Sequence, residues 1–257
     1  AQWEHVTFSS AGIVEIPPAE ICGDGIDNDR DGQIDEGCNT APTAQDDTFS
    51  TPEETPLNAS ATATDAESDP LTYMIVGSTP TGLTFNSDGT FTYTPALDFT
   101  GTVSFQFKAN DGALDSNVAT ITITVTPVND APMCDVPTTN TTYIWPPNHK
   151  MVSIGAIMSA TDVDGDTITT AVSSIFQDEP TNGLGDGDTS PDATLSPAQV
   201  RAERSGTGDG RVYVVTMTAD DGNGGTCSGS VEIFVPHSMK KPVSAINSGA
   251  TYDSTTP

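Results

Sequence analysis

The stretch Leu83-Thr-Phe-Asn-Ser-Asp-Gly-Thr-Phe-Thr-Tyr-Thr94 predicts a β-hairpin. Apolar and polar residues alternate on both sides of Asn86-Ser-Asp-Gly89, and these four residue types favour a tight turn. Residues 102–107 and 119–125 alternate in the same way, so each predicts a strand with one apolar face. Short strands separated by Gly/Asp turns, with no stretch of helical period, predict a β-sandwich over residues 46–127.

The β pattern continues beyond residue 132, where a second sandwich is expected. Residues 193–203 are the only segment of this region that could hold a short helix, and residues 178–192 form a long acidic loop. The Ser/Thr/Pro-rich tail at 237–257 suits a linker, a disordered end or an exchanged strand. Strands are predicted at 151–157, 167–175, 212–217 and 231–235. The chain is therefore expected to be all-β.

Residues 1–19 precede both sandwiches and carry a strand pattern of their own. Their alternation predicts a strand over residues 1–16, which Gly12 could kink. A lone strand is not stable in water, so this one must pair with another strand. Two partners remain open, namely the edge of a sandwich in a neighbouring subunit and a sandwich in the same chain.

An acidic loop at residues 20–40 follows, and Cys22 and Cys38 close it. Acids at alternate positions of a tight loop can turn their oxygens inward, as a hard cation requires. Gly32 permits the sharp turn that such a loop needs. An EF-hand loop has a bidentate Glu at its twelfth position, where this chain has Cys38. A polar loop that binds nothing is the alternative. The predicted calcium ligands are Asp27, Asp29, Asp31, the backbone carbonyl of Gln33, and Asp35 or Glu36.

The charge balance limits the partners of the chain. Its 257 residues include 8 Lys and Arg but 36 Asp and Glu, which gives a net charge of −28. Nucleic acid and anionic membranes both need a basic face, so neither is expected as a partner. Divalent cations are favoured, because they remove the repulsion within a compact acidic chain. No apolar run approaches the ~18 residues of a membrane-spanning helix.

Four cysteines and abundant Thr, Ser and Asp indicate an oxidising compartment. Three pairings are possible. Cys22 with Cys38 and Cys134 with Cys227 are favoured, because the first pair flanks one motif and the second brackets one later domain. The sequence begins at Ala1 rather than Met, as expected of a mature end left by signal-peptide removal. We therefore expect a secreted protein at the cell surface.

Three segments resemble known families, the first being the acidic loop. Residues 22–36 resemble the metal-binding motif CxDGxDNDxDGxxDE of secreted bacterial proteins, except that Arg30 stands where many copies have Cys. The absence of that cysteine leaves Cys38 as the partner of Cys22. The resemblance implies a metal site in the loop.

Residues 41–130 resemble the cadherin-like tandem repeats of bacterial surface proteins. The resemblance rests on Ala44-Gln-Asp-Asp47, Thr51-Pro-Glu-Glu54, Asp65-Ala-Glu-Ser-Asp69, Asn110-Asp-Gly112 and Val128-Asn-Asp-Ala-Pro132. It implies calcium at the domain ends, held by acids from separate loops. The usual DxDGD has Glu67 for its middle Asp and Ser68 for its Gly here. A solvated acidic rim is the alternative. The implied ligands are Asp46, Glu54, Asp65, Glu67, Asp69, Asp111 and Asp130.

Residues 131–236 are similar to Ig-like (HYR/PKD-like) modules of secreted bacterial proteins, through Ile144-Trp-Pro-Pro-Asn-His-Lys150 and Arg201-Ala-Glu-Arg-Ser-Gly-Thr-Gly-Asp-Gly210. Trp145 suits either a sugar-binding platform or packing at the edge of the core. Asn58 and Asn140 lie in Asn-x-Ser/Thr sequons and are possible glycosylation sites. The candidate oxygen ligands of this module are Asp162, Asp164, Asp166, Asp186, Asp188, Asp220 and Asp221.

The function predicted from these features is structural. His5, His149 and His237 lie in separate segments, and no G-x-S-x-G, HExxH or P-loop motif occurs, so no enzyme is expected. Calcium at the ends of tandem sandwiches suits a surface fibre subunit, which would polymerise head to tail with copies of itself by exchange of residues 1–16. The alternative is an adhesive or carbohydrate-binding module of a secreted protein or hydrolase, with glycans as partners.

Overall fold

The computed structural model describes residues 7–9, 12–14, 20–22, 25–30, 32, 37–181, 189–206, 209–240 and 245–256, the first two stretches by backbone alone. The chain divides into two compact units, Ala1–Val128 and Asn129–Pro257. The described ranges contain twenty strands, and no helix in them is long and apolar enough to cross a membrane. The all-β prediction is thereby confirmed.

The unit Ala1–Val128 contains a β-sandwich preceded by a small hairpin. Its strands are β1 (Thr7–Ser9), β2 (Gly12–Val14), β3 (Thr43–Ala44), β4 (Asp47–Pro52), β5 (Leu57–Ser60), β6 (Ala63–Thr64), β7 (Thr72–Val76), β8 (Leu83–Phe85), β9 (Thr90–Tyr93), β10 (Gly101–Asn110) and β11 (Ala119–Thr126). One sheet has the order β4-β11-β10-β7, with β4 parallel to β11, and another has the order β5-β9-β8. β3 and β6 pair separately.

The hairpin predicted at residues 83–94 is confirmed as β8 and β9. The amide of Asn86 donates to the carbonyl of Thr90 at 2.9 Å, and the amide of Gly89 donates to the carbonyl of Asn86 at 3.0 Å. Gly89 has a φ of +86°, a conformation that favours glycine. The local turn chemistry therefore fixes the register of these two strands.

The core of this sandwich comes from the apolar faces that the alternation predicts. Phe105 and Phe107 of β10, with Ile121 and Ile123 of β11, are at most 3% exposed. The rings of Phe91 and Phe105 meet edge to face at 5.4 Å between centroids, a favoured aromatic geometry. Burial of every second side chain is what stabilises a sheet with one packed face.

Residues 7–9 and 12–14 form two short paired strands rather than the single kinked strand that the sequence predicts. β1 and β2 pair antiparallel, with Ser9 opposite Gly12. No third strand of the described residues joins this pair, and a two-stranded hairpin is marginally stable by itself.

The unit Asn129–Pro257 contains a second sandwich. Its strands are β12 (Met133–Cys134), β13 (Met151–Ser153), β14 (Ala160–Thr161), β15 (Thr169–Gln177), β16 (Ala193–Thr194), β17 (Gln199–Arg201), β18 (Gly210–Asp220), β19 (Thr226–Pro236) and β20 (Tyr252–Asp253). The largest sheet has the order β19-β18-β15-β20, a second has the order β13-β17-β16, and β12 pairs with β14. The facing sides of the first two sheets bury Ile154, Ile175, Val215 and Ile233 completely.

Two disulfides brace the chain, one in each unit. Cys22 and Cys38 close the acidic loop, and Cys134 and Cys227 join β12 to β19. The sequence favoured these two pairings among the three that four cysteines allow.

The segment 193–203 contains two short strands joined by a turn, so the short helix that its residues permit does not form. β16 and β17 form a hairpin in which Ala193 lies opposite Val200. Val200 is fully buried, whereas its neighbours Gln199 and Arg201 are only partly buried. This burial has the period of a strand, so packing against the core overrides the local helix propensity.

Part of the Ser/Thr/Pro-rich tail belongs to the second sandwich of its own chain. β20 pairs with the end of β15, so that Gln177 lies opposite Tyr252. The amide of Ser254 donates to the carbonyl of Ile175 at 3.0 Å, and the carbonyl of Ser254 accepts from the amide of Ala193 at 2.8 Å. Ser254 is completely buried.

Candidate metal sites

Three carboxylates of the second unit converge at one end of its sandwich. Asp162 and Asp166 lie in the loop after β14, and Asp221 directly follows β18. One carboxylate oxygen of each residue lies within 4.8 Å of the other two. All three were predicted as calcium ligands, and the fold brings together two loops that are more than fifty residues apart in the sequence.

Backbone amides orient the carboxylate of Asp162. Its Oδ1 accepts from the amides of Asp164 at 2.9 Å and Asp166 at 3.4 Å, which holds the loop in a tight turn. Its Oδ2 is buried and has no hydrogen-bond partner among the described residues. A buried oxygen without a partner is costly, so this atom suits a direct ligand to a cation.

Asp221 is held as an ionised carboxylate and is only 4% exposed. The side-chain amide of Asn129 donates to Oδ2 at 3.0 Å, and the backbone amides of Asn223 and Gly225 donate to Oδ1 at 2.7 and 3.0 Å. The Asn129 hydrogen bond first, and the backbone hydrogen bonds after it, lower the pKa of Asp221 below its ordinary value.

Gly225 lies where the backbone passes closest to this carboxylate. A Cβ at this position would lie 2.1 Å from Oδ2 of Asp221 and 2.7 Å from Cα of Ala131. Any larger residue must therefore displace the carboxylate or the neighbouring backbone. Glycine is therefore required here, because Asp221 and Ala131 leave no room for a Cβ.

The donor set of the cluster Asp162, Asp166 and Asp221 matches a hard cation. Its donors are oxygens only, and none of the three residues forms an ion pair with the lysines or arginines of the described ranges. Calcium prefers six to eight oxygen ligands from carboxylates, carbonyls and water. The acidic cluster therefore has the chemistry of a calcium site.

The other acids predicted for this module have different roles or positions. Oδ2 of Asp164 accepts from the amide of Asp130 at 2.8 Å, and Oδ1 of Asp220 accepts from the amide of Gly222 at 2.7 Å. Asp164 thus binds the start of this unit and Asp220 caps its own turn, and neither belongs to the cluster of Asp162, Asp166 and Asp221. Asp186 and Asp188 lie outside the described residues.

A second acidic cluster lies in the disulfide-closed loop. Carboxylate oxygens of Glu20, Asp27 and Asp29 lie within 4.8 Å of one another. Oε1 of Glu20 accepts from the amides of Asn28 and Asp29 at 2.7 and 2.8 Å, so it caps the turn that carries the other two acids. Oδ1 of Asp27 is buried without a hydrogen-bond partner in the described part of the loop.

Glu20 was not among the predicted ligands, although it stands two residues before Cys22. The disulfide offered a signal, because closing the loop draws the residues beside Cys22 toward its acids. The remaining predicted ligands of this loop lie outside the described residues: Asp31, Gln33, Asp35 and Glu36.

The acids predicted in the first sandwich cap backbone amides in separate places. Oδ1 of Asp65 accepts from the amides of Glu67 and Asp69 at 3.0 and 2.9 Å, while its Oδ2 is buried without a partner in the described ranges. Oδ1 of Asp46 accepts from the amide of Thr120 at 2.7 Å. Among the described residues of this unit, Asp46, Asp65, Glu67, Asp69 and Asp111 do not bring three carboxylates within 4.8 Å.

Residues before the first sandwich contact two of these acids. Oε2 of Glu67 accepts from the amide and hydroxyl of Thr40 at 3.2 and 2.8 Å, and Oδ2 of Asp111 accepts from the side-chain amide of Asn39 at 2.9 Å. Backbone hydrogen bonds from Leu114 and Ala113 chiefly lower the pKa of Asp111. The carboxylates thus fasten the linker to the sandwich.

The adjacent acids Glu53 and Glu54 differ in environment. Glu54, the predicted ligand, is exposed and has a positive φ of 58°, and its carboxylate lies within 4.8 Å of that of Asp98. Glu53 is 3% exposed, and its Oε1 accepts from the amide of Val128 at 2.8 Å. The buried member of the pair therefore secures the end of the sandwich.

A buried ionic network in the second unit was not predicted from the sequence. Nη1 of Arg211 donates to Oδ2 of Asp192 at 2.7 Å and lies 3.4 Å from Oε1 of Glu203, and all three side chains are fully buried. The amide of Gln177 also donates to Asp192 at 2.9 Å, and Nε of Arg211 lies 3.3 Å from Glu179. Gln177 ends β15, Asp192 directly precedes β16, and Arg211 lies in β18.

Carboxyl groups outnumber guanidinium groups in this network, and the pKa of one carboxyl group is changed. Burial first, and then a hydrogen bond with Glu203, raise the pKa of Asp192 to about 7. Nδ1 of His149 lies 3.1 Å from Oε2 of Glu203, and Nε of Arg201 lies 3.6 Å from Oδ1 of Asp192. The carboxyl group of Asp192 therefore binds a proton more readily than an ordinary aspartate does.

Comparison with known proteins gives a family for the first sandwich. Residues 39–127 match the family model of the bacterial cadherin-like domain. With the strand topology, this match defines the class of that segment as a cadherin-like β-sandwich domain. Domains of this class together with disulfide bonds indicate an extracellular protein.

Two curated proteins of Dictyostelium discoideum are similar to part of the chain. The integrin beta-like protein B is 44% identical over 63 residues, which cover 24% of this chain and 3% of that protein. The integrin beta-like protein E is 42% identical over 59 residues, which cover 23% and 3% of the two chains. The chain thus spans a small fraction of the length of these relatives.

Solved cadherin structures are similar at low sequence identity. Human protocadherin-24 EC1-2 matches 77% of this chain and 99% of its own, at 16% identity and a TM-score of 0.46. Drosophila N-cadherin EC1-4 matches 76% of this chain and 49% of its own, at 14% identity and a TM-score of 0.41.

Proposed function

We propose that the chain is a calcium-stabilised structural protein of the extracellular space, with no catalytic role, and a subunit of a bacterial surface fibre. The convergence of Asp162, Asp166 and Asp221 carries the calcium part of the proposal, because these acids have no cationic partner in the described ranges. The match of residues 39–127 to a bacterial cadherin-like domain supports the extracellular, structural part.

Calcium would act in the second unit as a brace between two loops. Asp162 and Asp166 belong to the loop after β14, whereas Asp221 belongs to the turn between β18 and β19. A divalent cation neutralises their mutual repulsion and supplies the partner that Oδ2 of Asp162 lacks. Because the folded site binds and the unfolded chain does not, calcium at 100 times its dissociation constant adds about 2.7 kcal/mol to stability.

The decisive experiment compares two isosteric substitutions in the full chain. Asp162→Asn keeps an oxygen for the loop amides but replaces the unpartnered carboxylate oxygen with an amide. Asp220→Asn changes an exposed acid that is adjacent to Asp221 but outside the cluster. Calorimetric titration with calcium should lose the binding event of this site in Asp162→Asn and keep it in Asp220→Asn.

Chelation tests the same proposal without a substitution. At low ionic strength, EGTA should lower the melting temperature of the second unit, and added calcium should restore it. An unchanged melting temperature, with calcium binding equal in both variants, contradicts the calcium part of the proposal.

Assembly into a fibre is the second part of the proposal, and the hairpin β1–β2 supports it. This hairpin has no third strand among the described residues, and two strands alone are marginally stable. Addition of residues 1–16 to a sheet edge of another copy would satisfy its backbone and build a head-to-tail polymer.

Electron microscopy of the native protein separates assembly from simple folding. We expect filaments from the full chain and single particles after deletion of residues 1–16, with the melting transitions of both sandwiches retained. Single particles of the full chain, with and without calcium, would exclude the fibre while leaving the calcium sites unaffected.

A further inference from the structure

An open cleft of about 430 Å³ lies on the second unit, away from the acidic cluster of Asp162, Asp166 and Asp221. Residues 140–148 form one wall, and β13 and Ala202 form the other. Ile144 is 5% exposed and belongs to the hydrophobic core, so it anchors this wall from behind. The cleft is therefore part of the folded sandwich.

Two aromatic side chains on either side of Ile144 are exposed in the cleft. Tyr143 is 45% exposed and Trp145 is 46% exposed. The ring of Tyr143 stacks on Phe234 with 5.5 Å between centroids, and backbone hydrogen bonds of Ile144 and Thr142 to Phe234 fix this segment to β19. The sequence left open whether Trp145 packs at the core edge or forms a platform, and its exposure favours the platform.

Polar side chains with free hydrogen-bonding capacity lie beside the rings. Within the described residues, no group hydrogen-bonds the side-chain amide of Asn140 or the hydroxyl of Ser153. Oδ1 of Asn148 accepts from the amide of Lys150 at 3.2 Å, which leaves its NH₂ group available. The cleft thus offers amide donors, amide and hydroxyl acceptors, and aromatic faces together.

Charge narrows the class of ligand further. The lining residues within the described part of the chain carry no formal charge, although the whole chain has a net charge of −28. A cation would find no carboxylate in this cleft, and an anion would find no basic group while the acidic chain repels it. A purely apolar ligand would leave the amides unsatisfied. A neutral ligand with both apolar and hydroxyl faces remains.

We propose that this cleft binds a neutral oligosaccharide carried by another molecule. The C–H face of a pyranose ring stacks on Trp145 and Tyr143, while its hydroxyl groups hydrogen-bond to Asn140, Asn148 and Ser153. This binding is independent of calcium at the acidic cluster and of filament formation, and it gives the chain an adhesive activity.

Titration calorimetry of the full chain tests the proposal with cellohexaose, mannohexaose and xylohexaose, and with hexagalacturonate as the charged counterpart. At least one neutral hexamer should bind, and hexagalacturonate should not. Trp145→Ala should weaken binding at least tenfold, about 1.4 kcal/mol. Trp145→Phe, which retains a ring, should recover part of the affinity.

Tyr252→Ala is the matched control, because Tyr252 is an aromatic residue of the same unit that is 43% exposed and lies outside the cleft. The affinity of Tyr252→Ala for the neutral hexamer should equal that of the unchanged chain. Equal melting temperatures of all variants show that folding is intact. Binding that survives Trp145→Ala, or no binding of any neutral hexamer, overturns the proposal. A glycan on Asn140 of the native protein, found by mass spectrometry, also overturns it, since the chain's own sugar would then occupy the cleft.

Discussion

The buried carboxyl group of Asp192 predicts that the second unit loses stability as the pH rises toward 8. In the folded chain the pKa of Asp192 is raised from 3.8 to about 7. A carboxyl group whose pKa is raised by folding binds its proton more tightly in the folded state. The stabilisation that this group contributes to the folded chain is therefore complete at pH values below its pKa in the unfolded chain. It is lost as the pH rises through its pKa in the folded chain.

The size of this loss follows from the pKa difference. A shift of about 3 pH units, at about 1.4 kcal/mol per unit, amounts to about 4 kcal/mol over the whole transition. Between pH 5 and pH 8 the expected loss is about 3 kcal/mol, because the free energy of unfolding falls with pH only up to the folded pKa of about 7. Asp221 and Asp253 have lowered pKa values, so their contributions change only at more acidic pH and stay constant in this window.

The measurement is denaturant unfolding of the full chain at pH 5 and pH 8 with calcium held constant. Hydrogen exchange of peptides from β18, which carries Arg211, assigns the change to the second unit. Asp192→Asn cannot titrate, so its free energy of unfolding should vary by less than about 1 kcal/mol over the same range.

His149 supplies the control, because Nδ1 of its ring lies 3.1 Å from Oε2 of Glu203. His149→Gln should keep most of the pH dependence of the unchanged chain. A flat profile in the unchanged chain, or an equal slope in Asp192→Asn, would refute the reasoning. Loss of the slope in His149→Gln alone would assign the effect to the histidine instead.

Three further predictions concern single contacts. Gly225→Ala should weaken calcium binding at the acidic cluster by at least tenfold, measured by titration calorimetry, because its Cβ would displace Asp221 or the nearby backbone. Ile121→Ala should lower the free energy of unfolding of the first unit by about 2–5 kcal/mol in denaturant melts, since Ile121 is fully buried. Replacing both Cys134 and Cys227 by Ala should lower the stability of the second unit by about 2–5 kcal/mol in the same assay, without affecting the first unit.

The parts of the fold that the sequence predicts correctly depend on neighbours in the chain. The hairpin around Asn86 and Gly89 follows from local turn chemistry, and the inward faces of β10 and β11 follow from alternation. The residues of segment 193–203 permit a short helix, whereas burial of Val200 against the core requires a strand there. Local preference cannot include a contact that only the folded core provides.

The candidate sites show the same limit. The spacing of the acids predicts Asp162 and Asp166 as ligands, because they share a loop. The short distance from these two carboxylates to Asp221 depends on how the strands between them fold. Glu20 and the ionic network of Arg211 were missed, since a single acid or arginine carries no pattern. Asp164 and Asp220 belong to acidic motifs, yet each accepts a hydrogen bond from a backbone amide instead of joining the cluster. The amino-acid types alone do not separate acids that cap amides from acids that converge.

The position of β20 has a consequence for the order of folding during synthesis. Ser254 is completely buried, and it ties Ala193 of β16 to Ile175 of β15 through its own backbone. A chain that leaves the ribosome or a secretion channel from its N-terminus can complete the first sandwich long before residue 254 emerges. The second sandwich cannot bury this edge until residue 254 has emerged, so it is expected to become resistant to proteases later than the first sandwich.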